Sequence, residues 1–141
     1  MTTPPTADSD FHLLIERTLR HPPERVWRAL TDADEIARWF FPILFAPVVG
    51  HTFRITGPAV PGWRGWTDCE VLTLAPPHRM VWSFTCTDGA PTIVSFEITP
   101  HPDGCRLRIR HRGRVPPDTL ALLDQGWNLY ADQLGEMLAD S

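Results

Sequence analysis

The pattern of hydrophobic and polar residues near the N-terminus predicts one strand followed by two short helices. Apolar and polar residues alternate in part over residues 11–19, as in a strand with one buried face. Pro22-Pro23 ends this strand and suits the first turn of a helix, where a proline costs no hydrogen bond. Thr31 or Asp32 is suited to cap a second helix, which Glu35 supports. The apolar stripes of the two helices comprise Val26, Trp27 and Leu30, then Ile36, Trp39 and Phe40.

The middle of the chain is dense in turn residues that separate short β-prone segments. Glycine and proline cluster between residues 50 and 65, and Asp88-Gly89 and Asp103-Gly104 are typical of hairpin turns. These turns predict an antiparallel meander of strands. The predicted strands cover residues 52–56, 66–74, 79–85, 92–99 and 106–111.

The last segment returns to helical spacing and predicts one long amphipathic helix from Asp118 onwards. Its apolar stripe comprises Leu120, Leu123, Trp127, Tyr130, Leu134 and Met137 or Leu138. A single sheet with helices gathered on one side indicates an α+β fold, and a sheet curved around a long helix leaves a gap between the two. We expect residues 1–10 to form a flexible tail and residues 11–141 a single domain.

Composition excludes several classes of function. All 13 cationic residues of the 141-residue chain are arginine, which excludes a Schiff-base lysine and a phosphate-loop lysine. The net charge of −4 argues against a general nucleic-acid binder. The chain has neither a signal-peptide pattern nor the ~20 apolar residues that span a bilayer, so we expect a cytoplasmic protein. The three cysteines and six histidines lack metal-ligand spacing, and we predict neither a metal nor a cofactor.

Four segments of the sequence occur in a familiar order. They are PPERVWRALTD at residues 22–32 with ARWF at 37–40, VLTLAPPHRMV at 71–81, VSFEITP at 94–100, and Gly126-Trp127 in the terminal helix. In these segments the chain resembles the AHSA1-like (Hsp90-ATPase-activator-homology) branch of the START/Bet v 1-like (SRPBCC) superfamily. The resemblance implies a helix-grip fold, in which a curved antiparallel sheet grips the C-terminal helix around a cavity. It also implies a homodimer, while its members range from ligand binders and cyclases to co-chaperone domains.

Aromatic residues are the main candidates for function, since the chain has six tryptophans and seven phenylalanines. They predict an apolar cavity that binds a small hydrophobic or aromatic molecule, although each residue is also explained by core packing. Trp63 and Trp66 flank Gly65 and suit a cavity lid or an exposed partner-binding patch, and Gly126 suits room for a ligand or a close contact with the sheet. The candidate ligand-binding residues are Trp27, Trp39, Phe40, Trp66, Trp82, Phe84, Leu123, Trp127 and Tyr130.

Two further hypotheses belong to other classes. One is an enzyme of the cyclase or hydrolase type that uses a cavity carboxylate or a histidine as acid or base. Strand alternation predicts that Glu97 faces outward, whereas the orientations of Asp68 and Glu70 are open. The other hypothesis is a co-chaperone-like or regulatory interaction protein. The absence of nucleophile-elbow and dinucleotide motifs favours a binding protein over an enzyme.

Five arginines alternate with other residues over 106–114 and are predicted to share one strand face. Two interpretations are open: a stripe that binds an anion or partner, and a solvated outer face paired with carboxylates such as Glu97 and Glu70. The terminal helix carries acidic residues and no cation. The basic strand and this helix are therefore candidates to meet, within one molecule or across a dimer.

Overall fold

One antiparallel sheet of six strands forms the centre of the structure, a computed structural model that describes residues 8–140. Its strands are β1 (Ser9–Leu19), β2 (Thr52–Thr56), β3 (Trp66–Ala75), β4 (Arg79–Thr85), β5 (Thr92–His101) and β6 (Gly104–Val115). They lie in the order β1-β6-β5-β4-β3-β2, so the predicted meander is confirmed and β1 closes onto its last strand. β1 and β6 pair from Ser9 opposite Val115 to Leu19 opposite Cys105.

Three helices complete the fold, and they are α1 (Pro23–Thr31), α2 (Ala33–Trp39) and α3 (Pro117–Ala139). Pro23 and Pro117 lie in the first turns of α1 and α3, where their missing N–H groups leave no bond unmade. The Asp32 side chain accepts a hydrogen bond of 3.1 Å from the Glu35 backbone N–H and caps α2. The predicted α+β class and helix-grip arrangement are confirmed.

The inner face of the sheet packs against α3. In β5, Val94, Phe96 and Ile98 are buried and Glu97 lies on the outer face, as alternation predicts. The buried apolar residues of α3 recur every three or four positions, so one stripe of the helix covers the sheet. These residues are Trp127, Ala131, Leu134, Met137 and Leu138.

The five arginines of β6 lie on the outer face, and three of them, Arg108, Arg110 and Arg114, pair with carboxylates of neighbouring strands. Arg108 contacts Glu16 at 2.8 Å and Arg110 contacts Glu97 at 2.7 Å. Glu70 does not take part, because β3 lies three strands away from β6. The arginines of β6 do not meet α3, which packs on the opposite face of the sheet. Exposed pairs of this kind contribute only ~0–1 kcal/mol each, so the stripe adds little to stability.

The acidic helix α3 instead meets an arginine of β1. Arg17 donates to Asp132 at 3.0 Å and to the side-chain oxygen of Asn128 at 3.2 Å. Both contacts tie the edge of the sheet to the middle of α3.

Two expectations from the sequence concern the N-terminal tail and the absence of a membrane-spanning segment. The predicted tail over residues 1–10 lies mostly outside the described residues, and Ser9 and Asp10 belong to β1. Within residues 8–140, no helix combines the length and the apolar character that crossing a bilayer requires.

Candidate ligand-binding cavity

A cavity of about 270 Å³ lies between the first half of α3 and strands β2, β3 and β4. The loop of residues 57–65 covers it from one side. Val60 and Leu129 stand at its rim and are 44% and 52% exposed, so the cavity opens to solvent between this loop and α3. Its aromatic lining consists of Phe40, Phe41, Trp63, Phe84, Trp127 and Tyr130.

Phe40 organises the aromatic wall. Its ring stacks on Trp127 with centroids 5.6 Å apart and planes only 4° from parallel. The rings of Phe41 and Tyr130 meet it edge-on, each at 5.0 Å and 88°. The wall therefore offers both ring faces and ring edges, the two arrangements that aromatic molecules favour.

Gly126 widens the cavity on the α3 side. A Cβ atom at this position would lie 3.3 Å from Cε2 of Tyr130, closer than ordinary van der Waals contact. Glycine within a helix costs ~1 kcal/mol relative to alanine. The absent side chain leaves space where the ring of Tyr130 borders the cavity.

Two hydrogen bonds hold the loop of residues 57–65 over the cavity. The Thr119 hydroxyl donates to the Gly62 carbonyl oxygen at 2.7 Å, and Trp63 Nε1 donates to Thr67 Oγ1 at 3.0 Å. Gly62 has a φ of +92°, and a Cβ there would lie 2.9 Å from the backbone of Asp118. Only glycine permits this close approach of the loop to the start of α3.

A chain of buried hydrogen bonds behind the aromatic wall joins α3 to the sheet. Trp127 Nε1 donates to His111 Nδ1 at 2.9 Å, and the His111 Nε2 atom lies 2.7 Å from Thr92 Oγ1. Because the Thr92 hydroxyl donates to the Phe84 carbonyl, its oxygen must accept from His111 Nε2–H. This assigns a neutral histidine, and burial lowers the pKa of His111 to about 3.

The cavity is electrically neutral. None of the described residues that line it is an arginine, aspartate, glutamate or histidine. Burial raises the pKa of the Cys86 thiol to about 11 and also raises the pKa of Tyr130, so both stay protonated at neutral pH. Across residues 8–140, no three histidine, cysteine, aspartate or glutamate side chains come together as a metal ion requires.

Comparison with known proteins places this fold in a family. The family model described as "Activator of Hsp90 ATPase homolog 1-like protein" matches residues 20–139. The chain belongs to this family. No curated protein matches it significantly.

Several solved structures share this fold. Protein MLL2253 of Mesorhizobium loti is 30% identical, with 93% of this chain and 98% of that chain covered and a TM-score of 0.80. A protein from Rhizobium leguminosarum is 19% identical, with 96% and 98% covered and a TM-score of 0.80. CalU16 of Micromonospora echinospora is 23% identical, with 94% and 84% covered and a TM-score of 0.74. The last two likenesses show the fold alone.

Five of the nine residues predicted to bind ligand line the cavity of this AHSA1-like domain, and they are Phe40, Phe84, Leu123, Trp127 and Tyr130. The other four lie elsewhere. Trp39 is fully buried and donates its indole N–H to the Ala29 carbonyl at 2.8 Å, which makes it a core residue. Trp82 belongs to β4 and is buried in the core, and Trp27 is half-buried against the core.

Trp66 and both carboxylates of β3 point away from the cavity. Alternation places Thr67, Cys69 and Val71 inward, which leaves Trp66, Asp68 and Glu70 on the outer side of the strand. The Arg64 guanidinium stacks on Trp66 at 4.3 Å. Asp68 pairs with Arg54 at 2.7 Å. Neither Asp68 nor Glu70 therefore faces the cavity.

Sequence reasoning missed five polar residues in or behind the cavity, namely Thr67, Cys86, Thr119, Gln125 and His111. A signal existed for His111, because it shares its strand phase with the buried Leu107 and Ile109. Thr119 offered no local signal, since its partner Gly62 lies 57 positions earlier.

Proposed function

We propose that this protein binds a small hydrophobic or aromatic molecule in the cavity between the sheet and α3. The observation that carries the proposal is a neutral, aromatic-walled cavity of about 270 Å³ that opens to solvent. Small-molecule sites start near ~300 Å³, and an apolar cavity of ~150 Å³ takes benzene. This volume therefore suits a molecule of about two fused rings.

The lining supports binding rather than acid–base chemistry. A general acid or base must reach the proton that it transfers. Among the described lining residues there is no carboxylate and no histidine. His111, the nearest candidate, lies behind Trp127 and uses both ring nitrogens in hydrogen bonds. Membership of a family whose fold encloses a cavity also favours a binder, while cytoplasmic location and a homodimer stay predictions from the sequence.

Tryptophan side chains provide a test with internal controls. A panel of neutral one- to three-ring aromatic molecules and aliphatic molecules is titrated against ¹⁵N-labelled protein. We expect binders to shift the indole N–H signals of Trp63 and Trp127, which line the cavity, together with the Gly126 amide. The indole signals of Trp39 and Trp66 should stay in place, because these residues lie outside the cavity. Silence across the panel, or shifts centred on Trp66, would contradict the proposal.

A further inference from the structure

Thr67 brings a buried hydroxyl to the inner wall of the cavity. The residue is 1% exposed and lines the cavity from β3. Its oxygen accepts the Trp63 indole N–H at 3.0 Å. The hydroxyl proton meets no acceptor within the described part of the chain, whereas the Thr119 hydroxyl is already committed to the Gly62 carbonyl. Thr67 is thus a donor whose proton is available to whatever occupies the cavity.

The surroundings of Thr67 strengthen this donor. A hydroxyl that already accepts a hydrogen bond becomes a better donor, because bonds in a chain polarise one another. Cys86, which directly follows β4, adds only a thiol, a weak donor. Tyr130 is half-buried and Gln125 is exposed, so water can satisfy the hydroxyl of the one and the amide of the other at the cavity mouth. The strong donor at the buried end is therefore Thr67.

The lack of charged residues among the described lining residues also restricts the chemistry of the ligand. A charged group moved into an apolar site needs an opposite charge to offset its lost hydration. The described lining residues supply none. Arg64, which belongs to the loop of residues 57–65, is engaged by Asp88 at 2.8 Å and by the Thr85 carbonyl at 3.0 Å.

We propose that the ligand is an uncharged aromatic molecule with an oxygen acceptor at its buried end, where it accepts the hydrogen bond of Thr67. This inference rests on the proposed binding function and specifies its chemistry. The aromatic part lies against Phe40, Trp127 and Tyr130, and the opposite end of the molecule reaches the mouth between Val60 and Leu129.

Two ligands of nearly equal shape isolate the hydrogen bond. 2-Methoxynaphthalene carries an ether oxygen where 2-ethylnaphthalene carries a methylene group. Calorimetric titration of the wild-type protein should show roughly fivefold tighter binding of the methoxy compound, the gain typical of one net hydrogen bond. In Thr67→Val this preference should vanish while 2-ethylnaphthalene still binds. Thr67→Ser should restore it.

Variants of Trp63 and a charged ligand complete the design. Thr67→Val also leaves the Trp63 indole without its acceptor, so Trp63→Phe serves as the matched control that keeps the hydroxyl. Trp63→Phe should retain a preference for the methoxy compound. The ratio of two affinities within one variant cancels any general loss of stability. At pH 7, 2-naphthoate should bind at least about tenfold more weakly than its methyl ester, because its charge has no partner.

The outcomes separate the two proposals. Equal binding of both naphthalenes by the wild-type protein, or a preference that survives in Thr67→Val, overturns the assignment to Thr67 and leaves the binding function intact. Tight binding of 2-naphthoate overturns the uncharged class. If neither naphthalene binds and the wider panel is silent, the binding function itself fails.

Discussion

Two aromatic regions on the same face of the sheet differ in whether they leave space. The filled cluster consists of Trp82, Phe45, Phe53 and Phe96, with the Trp82 ring 4.7 Å from Phe96 and 5.0 Å from Phe53. All four side chains are buried. The rings of the cavity wall make contacts as close as 5.0 Å, and the wall consists of Phe40, Phe41, Trp63, Phe84, Trp127 and Tyr130. Ring-to-ring packing is therefore similar in the two regions.

The difference comes from the small residues opposite the rings. In the filled cluster, Phe45 comes from the segment that follows α2 and places its ring 5.5 Å from Phe53 and 5.9 Å from Trp82. The cavity wall instead faces Gly126, whose missing side chain leaves space beside Tyr130, and it is covered by the loop of residues 57–65. The comparison teaches that aromatic content marks a core, whereas missing side chains opposite the rings mark a cavity.

Truncation of a ring should separate the two regions most clearly. Trp82→Ala should lower the free energy of unfolding by ~3–5 kcal/mol, because it empties a fully buried site. Tyr130→Ala removes a half-buried ring and should cost less stability while weakening ligand binding more. Urea denaturation and calorimetric titration of both variants measure the two effects.

Trp82→Phe provides the control for this pair. The Trp82 indole nitrogen is buried without a hydrogen-bond partner in the described chain. Replacement by phenylalanine keeps most of the ring and removes an unpaired donor, which offsets part of the lost contact. We expect it to cost clearly less than Trp82→Ala. A Tyr130→Ala loss as large as that of Trp82→Ala would erase the distinction between the two regions.

Protonation of His111 should show how much the buried hydrogen bonds behind the cavity wall contribute to stability, since this residue holds Trp127 in that wall. Unfolded histidine titrates near ~6.5, and burial lowers the pKa of His111 to about 3 in the native state. The unfolded chain therefore binds the extra proton between these values. Stability is complete above pH 6.5 and falls as pH drops towards 3, by up to ~1.4 kcal/mol per pH unit. Between pH 6.5 and 4 the loss is about 3 kcal/mol.

Two histidine variants isolate this contribution from that of the carboxylates. His111→Gln should flatten the slope of unfolding free energy against pH between 4 and 6.5, as measured by urea denaturation. His12→Gln, at an exposed position of β1, should keep the wild-type slope. Parallel profiles for wild type and His111→Gln would show that the buried network does not control acid stability.

The fold could be predicted from the sequence, but only part of the cavity could. Changes of hydrophobic period marked every strand and helix, because each element buries one face. In β3 the alternation separates two sets of residues without showing which one is inward, and the outward set contains the large Trp66. Thr67 belongs to the inward set although its side chain is polar, so hydrophobicity does not mark it. The cavity also depends on pairs such as Thr119 and Gly62, which only the folded chain brings together.

Replacing a glycine of α3 by alanine should give the smallest effect. It tests whether the missing side chain at Gly126 provides space for the ligand. Alanine is favoured over glycine in a helix by ~1 kcal/mol, so Gly126→Ala and Gly135→Ala both gain propensity. A Cβ at Gly135 meets only Leu19 at 3.9 Å, an ordinary contact, whereas one at Gly126 meets Tyr130 at 3.3 Å and enters the cavity. Gly135→Ala should raise the free energy of unfolding by up to ~1 kcal/mol without changing affinity for 2-methoxynaphthalene. Gly126→Ala should gain less stability and bind this ligand more weakly. Both variants add the same methyl group to the same helix. Equal affinities of the two variants for 2-methoxynaphthalene would therefore mean that the ligand does not lie in the space beside Tyr130.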